Sequence, residues 1–260
     1  RMPLDDYEFL ISSLKGVEIK DANTIMRKVR FVKSEAEIAK IRHICQLTSK
    51  GFIDLENFLR AGDSEQENCR RFKQHLLTLG VDDSPYIVSG SGQEGYGSII
   101  MGPTDKIIEE GDLFIIDTGS VFDSYYCDFD RNYAFGSISE AAKTAYRVTY
   151  EATEAGFNAA QVGKTTSDIF NAMNDVLQKG GALGNTVGRL GHGLGMQLTE
   201  WPSNTQNDNT MLEPGVVLTL EPGMAFLPGK EMVHEENIVI TENGPEWLSI
   251  RAAEELPIIQ

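Results

Sequence analysis

Ile38, Ile41, Ile44 and Cys45 recur at three- and four-residue intervals, the spacing that turns one side of a helix toward a core. Directly before them, Ser34-Glu35-Ala36-Glu37 has the form of a capping box. In such a box the serine oxygen and the last glutamate each satisfy an N–H that the first helical turn leaves open. Ser64-Glu65-Gln66-Glu67 repeats the form and predicts a second helix through Leu76-Leu77, stopped by Gly80. Ser139 opens a further helical stretch. Thr165 with Asp168 caps another, running through Leu177 to Gly180-Gly181.

Between these helices the pattern changes. Leu113-Phe114-Ile115-Ile116 is a compact apolar run of strand length, closed by Asp117-Thr118-Gly119. Asp123-Ser124 then turns the chain, and residues 125–135 read as a second strand. Residues 216–220, 224–227 and 237–241 add further strands. Helices packed on an antiparallel sheet predict an α+β domain. Residues 1–30 read differently: a short Phe9-Leu10-Ile11 run, a turn at Lys15-Gly16, then Val17-Glu18-Ile19. They are expected to be the tail and linker of a missing N-terminal domain, with the catalytic domain at 31–260. No low-complexity tract or sequence repeat is present.

Composition narrows the function classes. With 260 residues the chain can form a substantial core. It has no unbroken apolar run of about 18 residues, which excludes a membrane-spanning helix of ordinary length. The formal net charge of −16 repels phosphate backbones and anionic lipid, so neither nucleic acid nor membrane is an expected partner. Cys45, Cys69 and Cys127 are widely spaced and odd in number, which suits reduced thiols in a cytoplasmic protein.

Candidate chemistry lies where acids interrupt apolar sequence. Asp117 and Asp128 sit beside apolar and aromatic residues, where an ionised carboxylate is costly unless paired or bound to metal. Their separation suits two facing strands that present both side chains to one point. Singly, either is equally a strand end or turn former. His192 lies in Gly191-His192-Gly193-Leu194-Gly195, where absent side chains would let backbone approach a ligand closely. Glu221 follows the apolar run 216–220 and precedes Pro222-Gly223; Glu235 stands at the mouth of Asn237-Ile238-Val239-Ile240. Four carboxylates and one imidazole form a hard donor set, favouring Mn, Fe, Co or Zn over a thiolate-bound metal.

Taken in order, these motifs resemble the methionine aminopeptidase, prolidase and creatinase family, whose members share the pita-bread α+β fold. The likeness covers the chain from about residue 33 onward and is closest to prolidase and Xaa-Pro aminopeptidase-like catalytic domains. The resemblance implies two divalent metal ions, manganese favoured, with Asp117 chiefly on one and Asp128 and Glu235 bridging. His192 and Glu221 would complete the other shell, and both are expected to be catalytic, Glu221 as proton shuttle. Two such cations can share a water that attacks an amide carbonyl. The resemblance further implies cleavage beside proline, small peptide substrates and a homodimer.

The chain also departs from the family's peptidases, which usually add two histidines that hold and protonate the substrate. Here their positions fall at Ile100 and Thr199, the latter followed by Glu200. Glu200 or Tyr96 are the available replacements, whereas His234 should point away from Glu235 on an alternating strand. Asp130 stands where the peptidases usually carry threonine. It is expected either to support the metal or bind a cationic substrate group, or to pair with Arg131. These departures leave open a metal-dependent small-molecule enzyme on the same scaffold, a creatinase-like C–N hydrolase or a lyase cleaving dimethylsulfoniopropionate. A non-catalytic binding module is the third alternative, and the full set of five ligands weighs against it.

Overall fold

The computed structural model describes residues 2–185 and 188–260. Helices α1 (Leu4–Ser13) and α2 (Asn23–Phe31) lead into α3 (Glu35–Leu55) and α4 (Glu65–Leu79). Strands β1 (Asp83–Gln93), β2 (Asp112–Phe122), β3 (Tyr125–Tyr126) and β4 (Phe129–Phe135) follow, then α5 (Glu140–Ala159) and α6 (Thr166–Lys179). The remaining strands are β5 (His192–Gly193), β6 (Glu200–Ser203), β7 (Val217–Leu220), β8 (Gly223–Leu227) and β9 (Lys230–Val233). Last come β10 (Glu236–Thr241), β11 (Gly244–Trp247) and β12 (Ile258–Ile259).

Local capping chemistry sets the helix starts. Ser34 and Glu37 form both bonds of the box at α3, and Thr165 and Asp168 do so at α6. At α4 only half the expected box forms: Ser64 accepts from the Glu67 N–H, and its neighbour Glu65 turns inward instead. There Glu65 accepts from Ser91 Oγ at 2.6 Å and from Thr104 Oγ1 at 2.7 Å, which ties the helix to β1 and the loop beyond it. Gly80 ends α4 in the left-handed conformation, where a Cβ would be strained.

Two five-stranded sheets carry the domain, in the orders β1-β2-β4-β12 with β3 beside β2, and β11-β10-β7-β5-β6. Pairing is antiparallel except between β4 and β12, which run parallel. Strand β2 is buried on both faces. Leu113 and Ile115 join a core with α5, α6 and the second sheet, while Phe114 and Ile116 join another with α3 and α4. Strand alternation places Asp117 and Gly119 on the face of Leu113 and Ile115, toward the second sheet.

Two expectations are corrected here. Asp117-Thr118-Gly119 does not close a strand, because β4 pairs with β2 as far as Thr118, β1 as far as Val121, and β3 carries it on to Phe122. The strand expected at 125–135 divides into β3 and β4, leaving Cys127 and Asp128 outside regular pairing. Ahead of α3, α1 buries no residue and α2 buries only Phe31. The turn at Asp123-Ser124 is as expected, both residues having positive φ.

Candidate metal centre

The four acids and the imidazole come from five places in the chain. Asp117 is in mid-β2, Asp128 lies between β3 and β4, and His192 is on β5. Glu221 directly follows β7 and Glu235 directly precedes β10. Asp130, not Asp128, lies across the ladder from Asp117; Asp128 reaches the same face two residues earlier. The donor atoms of Asp128, His192 and Glu235 all fall within 4.8 Å of one another. His192 Nε2 lies 3.4 Å from Asp128 Oδ2. Asp117 and Glu221 stand outside that tight trio but within electrostatic reach of it.

Backbone and side-chain bonds hold this arrangement. The Asn237 side-chain amide accepts from the Asp128 N–H at 2.9 Å and donates to the Asp128 carbonyl. It stands in for a strand partner where β3 and β4 break. Thr219 Oγ1 accepts from the His192 N–H at 3.1 Å, and the Leu190 carbonyl accepts from the Glu221 N–H at 3.1 Å. His192 Nδ1 lies 2.8 Å from the Gly193 carbonyl, so it carries the proton and leaves Nε2 as a lone-pair donor toward the acids. Burial lowers the His192 pKa and favours that neutral form.

The donor set fits divalent cations. Asp117 Oδ1, Asp128 Oδ1, Glu221 Oε2 and Glu235 Oε1 are buried without a hydrogen-bond partner. Burial, first, and mutual repulsion among acids raise the pKa of Asp117, Asp128 and Glu235 well above the carboxylate range. Burial also raises Glu221, against the opposing pull of His192. Buried acceptors facing one another need counter-charge, and a divalent cation supplies it to several at once.

The glycines of the His192 motif serve a different purpose from the one expected. A Cβ on Gly191, whose φ is 125°, would lie 2.2 Å from the Thr219 carbonyl oxygen; one on Gly193 would lie 2.5 Å from that of Trp201. Gly191 and Gly193 thus admit neighbouring backbone. Gly191→Ala is therefore expected to destabilise the fold by about 2–4 kcal/mol, combining overpacking with a left-handed backbone. Denaturant melts test this, and a loss below 1 kcal/mol would show the contact to be unimportant.

The other singled-out residues scatter. Asp130 is buried with Oδ1 partnerless, and it forms no ion pair among the described residues. Arg131 pairs instead with Glu236 at 3.1 Å. Ile100 is 74% exposed and Thr199 is exposed. Glu200 is held by Arg30 and by Lys33, the latter at 3.3 Å. The buried Tyr96 hydroxyl donates to Asn132 Oδ1 at 2.9 Å. Neither Glu200 nor Tyr96 is free to replace an imidazole. His234 does turn away from the cluster, its Nδ1 lying 2.9 Å from Thr153 Oγ1.

Two residues facing the acids escaped the sequence reading, Tyr86 on β1 and Arg189 ahead of β5. Tyr86 pairs across the ladder with Gly119, one same-face step from the Val88–Asp117 pair. Arg189 bears electrostatically on Asp128, Glu221 and His192. Arg189's place three residues before His192 was the only available signal. Tyr86 gave none until the register of β1 was known.

Comparison with known proteins agrees with this geometry. A family model described as metallopeptidase family M24 matches residues 39–242. The Xaa-Pro dipeptidases of Pyrococcus furiosus and Pyrococcus horikoshii are 28% and 30% identical, each over 89% of this chain. The chain spans about two thirds of their length, 67% and 66% respectively. The crystal structure of an X-Pro aminopeptidase from Thermotoga maritima superposes with a TM-score of 0.88 at 25% identity. It covers all of this chain, which spans 73% of that one. The α+β architecture is the pita-bread fold expected from the sequence.

Proposed function

This chain belongs to metallopeptidase family M24, and from that premise we propose that it is a hydrolase of the Xaa-Pro dipeptidase or aminopeptidase type working with two divalent cations. The observation that carries the reading is the set of partnerless, buried carboxylate oxygens around a neutral imidazole. The names of the relatives, Xaa-Pro dipeptidase and X-Pro aminopeptidase, support the choice of bond. Residues 31–260 would carry the chemistry and 1–30 would link them to a further domain. Among the described residues no helix is long and apolar enough to cross a membrane; a cytoplasmic location and a homodimer are part of this proposal.

In this reading Asp117, Asp128, His192, Glu221 and Glu235 would hold the cations, Asp117 chiefly serving one, His192 and Glu221 the other, and Asp128 and Glu235 both. Manganese is favoured, although the donor set also accepts Co, Fe or Zn. Two such cations supply a water of lowered pKa and a polarised carbonyl. Glu221, beside the cations, would take the proton of the attacking water and pass it to the leaving nitrogen. His192, fixed by the Gly193 carbonyl, keeps Nε2 toward the acids throughout.

The second reading is a metal-dependent small-molecule enzyme on this scaffold, creatinase-like or lyase-like. The exposed Ile100 and Thr199, in place of imidazoles, and the partnerless Asp130 favour it. Assays of Xaa-Pro dipeptides and longer X-Pro peptides with added manganese separate the two. Turnover that chelation abolishes is expected. No turnover of either peptide class would refute the peptidase reading.

A further inference from the structure

An amide carbonyl under attack gains negative charge on oxygen, and donors already aimed at that oxygen lower the barrier. The cluster itself offers acceptors only, since ionised carboxylates cannot donate. Both His192 nitrogens are committed, one to Gly193 and the other toward the acids. Nearby donors are mostly occupied as well. Tyr96 donates to Asn132, His234 meets Thr153, Arg131 is held by Glu236 and Lys33 by Glu200.

Two groups remain. We propose that Tyr86 and Arg189 are the hydrogen-bond donors that hold the substrate oxygen on which charge develops. The proposal rests on the metal-centre reading but on no particular substrate. Both groups donate hydrogen bonds and keep their protons, so no bond to either is made or broken.

Tyr86 reaches the cluster along the sheet. Opposite it is Gly119, and beyond Gly119 on the same face comes the Asp128 region. Leu198 covers that gap closely, its Cδ1 lying 2.1 Å from where a Gly119 Cβ would be. The phenol is half-buried and its hydroxyl makes no hydrogen bond among the described residues. Burial, then Asp117, Asp128, Glu235 and Glu221, raise its pKa and keep it a donor.

Arg189 approaches from the second sheet. The Leu190 carbonyl accepts from the Glu221 N–H, which fixes this segment beside the end of β7. Arg189 Nε is buried without a partner, and the side chain forms no ion pair within 4.0 Å among the described residues. Its charge nonetheless bears on Asp128, Glu221 and His192. A guanidinium beside acids, engaged by none of them, is placed for an anionic group that arrives later.

Inorganic phosphate, a tetrahedral oxyanion, probes the donors without any assumption about the substrate. Calorimetry on the manganese-loaded protein is expected to show phosphate binding that Tyr86→Phe and Arg189→Gln each weaken fivefold or more. Metal stoichiometry and melting temperature should stay at the wild-type values. Arg189→Lys, which keeps the charge, should recover part of the loss. With a substrate in hand, each loss should appear as a fall in kcat of about 10²–10³-fold with little change in KM. Weakening below fivefold in either variant, or no phosphate binding by the wild type, overturns the assignment. If these effects hold while X-Pro peptides are not cleaved, the peptidase reading fails and the donor pair stands.

Discussion

Asp128→Ala is expected to yield a folded protein that binds no bridged pair of divalent cations and hydrolyses no amide. Asp128 belongs to the tightest donor trio, and as a proposed bridge its loss would strip one donor from both cations. Loss of a shared ligand should exceed the 10–100-fold effect typical of residues that merely orient ligands. The fold should survive, because Asn237 grips the backbone of residue 128 rather than its side chain. Removing a buried acid whose pKa is raised by burial and Glu221 even relieves repulsion in the metal-free state. Metal-free variant should therefore melt no lower than metal-free wild type at neutral pH. Two equivalents of bound metal, or retained turnover, would refute the role assigned to Asp128.

Stripping the metal from the wild-type protein is expected to produce the next largest change, and one that depends on pH. Asp117, Asp128, Glu221 and Glu235 all have folded-state pKa values raised above the ordinary range near ~4. Raised values mean that the folded metal-free state favours the protonated acids. Their contribution to stability is full below the ordinary range and is lost as pH rises through the raised values. His192 and His234, with lowered pKa values, act in the opposite sense and lose stability as pH falls below ~6.5. Bound cations replace the protons, so binding releases protons and stabilises more at higher pH. At about 100 times Kd, each site adds roughly 2.7 kcal/mol, or about 5–10 °C in Tm for a chain of this size. The manganese-induced shift should grow from pH 6 to pH 8. A shift that is absent or independent of pH would show that these acids are not the ligands.

The readable parts of this chain were those whose signal is local. Both bonds of the Ser34 and Thr165 boxes lie within four residues, and both formed. At the Ser64 box only the serine's bond formed, and Glu65 beside it meets Ser91 and Thr104, which lie 26 and 39 residues away. Four of the metal-site candidates stood out because an acid inside apolar sequence is costly wherever it folds, and His192 because of the glycines around it. Asp117 was misplaced at a strand end because the pairing that extends β2 beyond it comes from residues 83–87 of β1, more than 30 residues away, and from β3 across the turn. Gly191 and Gly193 looked like room for a ligand, yet the room is filled by the carbonyls of Thr219 and Trp201. Tyr86 and Arg189 became visible only with register and chain proximity, which no single motif encodes.

Anomalous diffraction from crystals of the manganese-loaded protein tests the two-cation centre most directly. Two peaks about 3.5–4 Å apart are expected, with Asp128 and Glu235 contacting both, Asp117 on one, and His192 and Glu221 on the other. A single peak, or peaks bounded by other residues, would contradict it.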